Sequence, residues 1–175
     1  MDSLVKHRNL PQLLAQARDA VVEPFRHILH HFELTEQQWR ILRILDQEAP
    51  LEPWQICKRG QFLSPSLAGV LSRMEDMSLV QRRKLNTDQR RQLVTLTEQG
   101  RQLISAMAPV IEQQYEHIDA VLGANTVKQL YCALDKLLDL RKLDIRQADL
   151  PAQKFQHQRR QNAKKPRGNS SSPED

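Results

Sequence analysis

Apolar residues recur at three- and four-residue steps from about Leu10 to Phe32. Leu14, Ala17, Val21, Phe25, Ile28 and Phe32 share one side of a helix. Pro24 falls inside this run; it lacks an N–H and crowds the preceding turn, so a kink or break is expected there. Thr35-Glu36-Gln37-Gln38 predicts a new helix, with Thr35 as N-cap, Gln38 reaching back to it, and Ile41, Leu42 and Leu45 on the buried face. Pro50 and Pro53 punctuate a loop before a short helix near Trp54. Ser64-Pro65 predicts another start, Ser64 capping and Pro65 in the first turn. Beyond it the pattern splits, with Leu67, Val70, Leu71 and Met74 on one face and Ser66, Gly69, Ser72 and Arg73 on another. Leu79-Val80 and Leu93-Val94-Thr95-Leu96 are β-prone, and Asn86-Thr87-Asp88 between them carries turn chemistry, so a two-stranded hairpin is predicted. Thr97 caps a helix to about Leu122, bent at Pro109 and ended by Gly123, with Leu103, Ile104, Met107, Ile111, Tyr115, Ile118 and Leu122 as its stripe. A last helix starts at Asn125 or Thr126, striped by Val127, Leu130, Tyr131, Leu134, Leu137 and Leu138.

This order predicts a mainly α fold: a winged helix-turn-helix with a two-stranded β wing and long terminal dimerisation helices. The expected organisation is an N-terminal dimerisation helix (1–33), a winged helix-turn-helix domain (34–97), C-terminal dimerisation helices (98–147) and a basic disordered tail (148–175). The winged module alone offers too little surface to cover the apolar stripes of the terminal helices. Mutual packing of two chains would cover them, giving a homodimer whose two-fold axis suits a pseudo-palindromic stretch of double-stranded DNA.

Charge changes the picture only when it is located. The net charge is +5, but the segment from Pro151 holds Lys154, Arg159, Arg160, Lys164, Lys165 and Arg167 against Glu174 and Asp175, so most of the excess lies in the tail. The body must bind nucleic acid through local patches. One such patch is the hairpin, with Arg82, Arg83, Lys84, Arg90 and Arg91 against the single acid Asp88, which is expected to orient an arginine. The other is the preceding helix, whose face of Ser64, Pro65, Ser66, Gly69 and Ser72 permits close approach to a major groove while Arg73 reaches a base edge or phosphate. A mid-helix glycine costs ~1 kcal/mol relative to alanine, which a plain solvent-facing helix would avoid. The wing would then press on flanking phosphates or the minor groove.

Several classes are set aside. No apolar run is long enough to cross a membrane, and the first ten residues, broken by Asp2, Lys6 and Arg8, do not read as an export signal, so a cytoplasmic protein is expected. Cys57 and Cys132 form no disulfide framework and read as small buried hydrophobes rather than oxidant sensors. His27 and His31 share a helical face at a spacing that can hold a metal, yet polar-face histidines are the simpler reading and no metal or cofactor is expected. Phosphate-loop, nucleophile-elbow and zinc-protease motifs are absent from the sequence, so an enzyme is not expected. A metal- or oxidant-sensing regulator and a sequence-blind DNA-binding scaffold are the alternatives.

Thr35-Glu36-Gln37-Gln38-Trp39-Arg40, Leu63-Ser64-Pro65-Ser66-Leu67, Arg73-Met74-Glu75, Leu79-Val80, Asp88-Gln89-Arg90-Arg91 and Leu96-Thr97-Glu98-Gln99-Gly100 together resemble, in order and spacing, the MarR family. The likeness is greatest to regulators of homoprotocatechuate degradation, and regulators of hydroxynicotinate breakdown are similar relatives. It spans roughly residues 10–143. It implies a dimeric repressor released by a small aromatic acid. It also implies that Asp88 orients the wing, that Arg90 enters the minor groove, and that Ser64, Ser66, Gly69 and Arg73 contact bases. Ligand pockets of the family lie where dimerisation helices meet the winged domain. That places Trp39, Arg40 and Arg43, with Arg18, Arg26 and His30, around a hydroxylated aromatic or heteroaromatic carboxylate. An arginine fork suits the carboxylate and an indole the ring.

Overall fold

The computed structural model describes residues 5–85 and 88–150; for Ser64, Pro65, Leu85, Asp88, Gln89, Arg90 and Arg141 it describes the backbone alone. Of the basic tail expected over 148–175, residues 151–175 lie outside the described residues.

Pro24 breaks the first apolar run as its chemistry requires. Helix α1 (Leu10–Val22) gives way to a single 3-10 turn, Glu23–Phe25, before α2 (Arg26–His31). The turn buries its own Phe25 and lets α2 aim Ile28 and Leu29 at the core, while α1 buries none of its residues. Helix α3 (Glu36–Glu48) opens on the expected capping box: the Thr35 hydroxyl accepts from the Gln38 N–H at 3.2 Å, and the Thr35 N–H donates to Gln38 Oε1 at 2.8 Å. Glu52 and Gln55 form a second capping box at α4 (Pro53–Gly60), which ends with Gln61 in the left-handed region (φ 53°).

Helix α5 (Ser64–Asp76) starts one residue earlier than its serine suggests. Its N-cap is Leu63, not Ser64. The Leu63 carbonyl accepts from the Leu67 N–H at 3.3 Å and from the Ser66 hydroxyl at 2.7 Å, so Ser64 is already inside the first turn. Strand β1 (Val80–Leu85) pairs antiparallel with β2 (Asp88–Leu96), from Val80 opposite Leu96 to Lys84 opposite Gln92, with an irregularity at Lys84/Leu85. The strands run further than the β-prone ends predict and absorb the basic residues expected in the loop, because ladder hydrogen bonds use the backbone whatever the side chain. Leu51 adds a bridge to Val94 (2.8 and 3.1 Å), which pins the root of the hairpin to the connection between α3 and α4.

Thr97 caps α6 (Glu98–Leu122) by accepting from the Gly100 N–H at 3.0 Å, and Gly123 ends it at φ 83°. The final helix, α7 (Ala124–Asp139), begins directly after that glycine rather than at Asn125 or Thr126; the Val127 N–H already donates to the Gly123 carbonyl. One core unites α2 to α6, including Ile41, Leu42, Leu45, Ile56, Leu71, Met74, Val94, Met107 and Ile111, each at most 1% exposed. The α6 stripe therefore divides: Ile104, Met107 and Ile111 are covered within the chain, whereas Leu122 is exposed. Residues through Tyr131 form one compact unit, and those from Cys132 a second, made of the rest of α7 and a 3-10 turn at Leu140–Lys142.

Candidate nucleic-acid interface and ligand cavity

Helix α5 sorts its two faces as its pattern requires. Leu67, Val70, Leu71 and Met74 are buried, and Ser66, Gly69, Ser72 and Arg73 are exposed. A Cβ built on Gly69 would meet nothing within 4 Å, so the glycine is not filling a tight helix–helix contact in this chain. The small-residue face is open to an outside surface. Ser64 and Pro65 occupy the first helical turn; the contacts expected of their side chains lie outside the described residues.

The wing cations fall into two groups. Arg83 and Lys84 are exposed and, among the described residues, have no ion-pair partner. Arg82 instead donates through Nε to Glu75 of α5 at 2.7 Å and pairs with it through Nη2 as well. That guanidinium holds the Glu75 carboxyl below the usual carboxylate range, chiefly by hydrogen bonding, with partial burial opposing. Arg91 likewise pairs with Glu52 at the start of α4 (Nε to Oε2, 3.2 Å) and lowers the pKa of that carboxyl. Nothing in the local sequence separates these cations or points to Glu52 and Glu75 as their partners. The orienting role expected of Asp88 and the minor-groove role expected of Arg90 fall on side chains outside the described residues.

A cavity of about 570 Å³ lies between α1, the Pro24 turn, α3, the end of α4 and α6. Arg18, Trp39, Arg40 and Arg43 line it, as expected from the sequence, together with Glu36, Gly60, Gln61 and Tyr115, which were not singled out. Arg26 and His30 are not brought there. Arg26 pairs with Glu23, and His30 lines a separate cavity of about 500 Å³ with His27 and His31. Burial of Ile28 and Leu29 fixes the inward face of α2 and turns both residues outward.

The arginines of the first cavity differ in state. Arg18 and Arg40 both donate to Glu36 Oε1. Arg40 also donates to the Gly60 carbonyl at 3.0 Å and sits 5.4 Å from the Phe62 ring centroid. Burial, then the like charge of Arg18, lowers its pKa. Arg43 lies 5.8 Å from the Trp39 ring centroid and, among the described residues, has no carboxylate partner. Tyr115 faces this region from α6, its ring 4.8 Å from that of Phe25. Burial raises the pKa of its phenol, with Arg43 opposing, so at neutral pH the hydroxyl is a proton donor. Among the described residues, no three His, Cys, Asp or Glu side chains gather to hold a metal. Cys57 is half-buried, whereas Cys132 is exposed, contrary to the buried reading of both: α7 turns that position outward in the chain.

An open small-residue helix followed by a basic hairpin, both seated on one helical core, defines a winged helix-turn-helix DNA-binding protein. This chain belongs to the MarR family of transcription regulators. The model of the MarR family matches residues 34–92. The chain is 39% identical to the homoprotocatechuate degradative operon repressor of Escherichia coli over 83% of its own length and 97% of that protein's. It is similar to the crystal structure of NadR in complex with 4-hydroxyphenylacetate (TM-score 0.70, 35% identity, 82% of this chain and 100% of that one). It is also similar to Bordetella bronchiseptica BpsR, whose DNA binding is regulated by 6-hydroxynicotinic acid (TM-score 0.68, 25% identity, 75% and 100%).

Proposed function

We propose that this chain works as a homodimeric repressor that binds a pseudo-palindromic operator and is released by a hydroxylated aromatic or heteroaromatic carboxylate. The observation that carries the effector reading is Arg43: a half-buried guanidinium in a ring-sized cavity, beside an indole, facing a protonated phenol, with no carboxylate of its own among the described residues. Arg43 and Tyr115 would take the carboxylate, and Trp39 the ring. The far end of the ring would meet Glu36, whose Oε1 holds Arg18 and Arg40 and whose Oε2 can accept from a ring hydroxyl. Two relatives support the choice of ligand class, one solved with 4-hydroxyphenylacetate and one regulated by 6-hydroxynicotinic acid.

For the DNA, Ser66, Gly69, Ser72 and Arg73 would meet bases, joined by Ser64 and Pro65 at the start of the helix. Arg83, Lys84 and Arg90 would meet phosphate or minor groove. Arg82 and Arg91, held by acids, would brace the wing, with Asp88 setting its tip. Leu10, Leu14 and Val21 of α1, Val121 and Leu122 of α6, and Leu130 and Tyr131 of α7 are exposed in the single chain and would supply the dimer interface. An effector must bind the released form better than the DNA-bound form to shift the balance. Quenching of Trp39 fluorescence by 4-hydroxyphenylacetate, homoprotocatechuate or 6-hydroxynicotinate tests the cavity. Saturable quenching by one of them, abolished in Arg43→Met, is expected; quenching unchanged by that substitution contradicts it.

A further inference from the structure

The two arginines that α3 presents one turn apart do different things. Arg43 is free of acidic partners among the described residues, but Arg40 is fully engaged, and what it engages lies at the entry to α5. Its Nη1 donates to the carbonyl of Gly60, the last residue of α4, one of the helix-end carbonyls that the helix itself leaves unbonded. Its guanidinium lies over Phe62, two residues further on. Phe62 in turn covers Gly60 so closely that a Cβ there would run into the ring. Only Gln61, Phe62 and Leu63 separate α4 from α5, and Leu63 is the N-cap of the DNA-facing helix.

On the other side, Glu36 holds Arg40 and is itself held by Arg18 of α1. Arg40 thus spans from the wall of the ligand cavity to the backbone that sets where α5 begins.

We propose that Arg40 is a positioning residue, not an effector receptor: through Gly60 and Phe62 it fastens the entry of the DNA-facing helix to α3. The inference deepens the functional reading above and rests on it for its consequence. A ring hydroxyl bonding to Glu36 would draw on the same carboxylate that holds Arg40, so occupancy of the cavity would be felt at the fastening. Gly60 belongs to the same device, because any side chain there displaces Phe62 from under Arg40.

The test compares Arg40→Met, Arg40→Lys, Gly60→Ala and, as control, Arg26→Met in the full chain by two readouts. The first is amide hydrogen exchange of residues 61–66 against α6 as internal reference. The second is the ratio of affinities for a duplex obtained by in-vitro selection and its scrambled version. Arg40→Met and Gly60→Ala are expected to speed exchange at 61–66 about tenfold, with α6 unchanged, and to lower the affinity ratio by about the same factor. Arg40→Lys keeps a donor for the Gly60 carbonyl and is expected to fall between Met and wild type. Arg26→Met, which removes only a guanidinium paired with Glu23 away from the cavity, should leave both readouts within about twofold. The proposal is overturned if Arg40→Met lowers the melting temperature but leaves both readouts at wild type, or if Arg40→Met and Arg26→Met behave alike. Absence of any selected duplex would sink the DNA reading instead, and exchange at 61–66 would still decide the fastening.

Discussion

Gly100 sits where the first turn of α6 passes the Leu79 carbonyl, so closely that a Cβ would strike the carbonyl oxygen. A backbone atom cannot swing aside as a side-chain tip can. Gly100→Ala is therefore expected to cost about 1–3 kcal/mol, from the strain of overpacking, in denaturant unfolding. Gly69→Ala should be neutral or slightly stabilising by the same measurement, because its Cβ would enter open space and alanine is the better helix former. It should still weaken operator binding if that face enters a groove. Both glycines were visible in the sequence, but only Gly69 drew attention there, since the reason for Gly100 lies in a residue twenty-one positions away. Capping was legible at this scale: Thr35 with Gln38, and Thr97 with Gly100, act within four residues. Arg40 and Arg43 were not distinguishable, because the contacts that separate them come from α4, from Phe62 and from the cavity wall.

Between elements, two acids brace the wing: Glu75 ties β1 to α5 through Arg82, and Glu52 ties β2 to α4 through Arg91. Since Arg82 lowers the Glu75 pKa in the folded state, the pair stabilises the fold above the unfolded carboxylate pKa. That contribution is lost as pH falls through the lower, folded value. Such a partly exposed pair is worth up to ~1 kcal/mol. An acid titration of stability should show Glu75→Gln less stable than wild type at neutral pH and converging on it only as pH falls through the lowered, folded-state value of that carboxyl. The same substitution frees a cation beside the DNA-facing helix. The dependence of log affinity on log salt for a random duplex is expected to steepen by about one unit. An unchanged slope would mean that Arg82 has no access to phosphate even when released. The hairpin was legible from its β-prone ends and its turn residues, but its basic middle read as loop. Its ties to Glu52 and Glu75 depend on how the hairpin folds back over α4 and α5, which no local spacing encodes.

For the whole molecule, α1 is one helix whose apolar face the single chain leaves open. Leu14 and Val21 are each 40% exposed, and α1 has no buried residue. Leu14→Glu with Val21→Glu should therefore leave the fold of one chain intact while dissociating the proposed dimer, read as a halved mass in sedimentation with unchanged helical signal. Operator affinity should fall with it, because a two-fold site needs both reading helices. Retention of the dimer would place the interface elsewhere. The stripe pattern foretold unpartnered terminal helices, yet not that half of the α6 stripe is spent on the chain's own core. That division follows from the Pro24 turn bringing Phe25, and α2 bringing Ile28 and Leu29, into the core that α6 shares. The central claim, that cavity and DNA-facing helix form one switch, is tested most directly by titrating 4-hydroxyphenylacetate, homoprotocatechuate and 6-hydroxynicotinate into a complex of the full chain with its selected operator, at physiological salt and with excess competitor DNA. Release of the operator by at least one of them, lost in Arg43→Met while DNA binding persists, is the predicted result. An operator complex that ignores all three, or release that survives Arg43→Met unchanged, contradicts it.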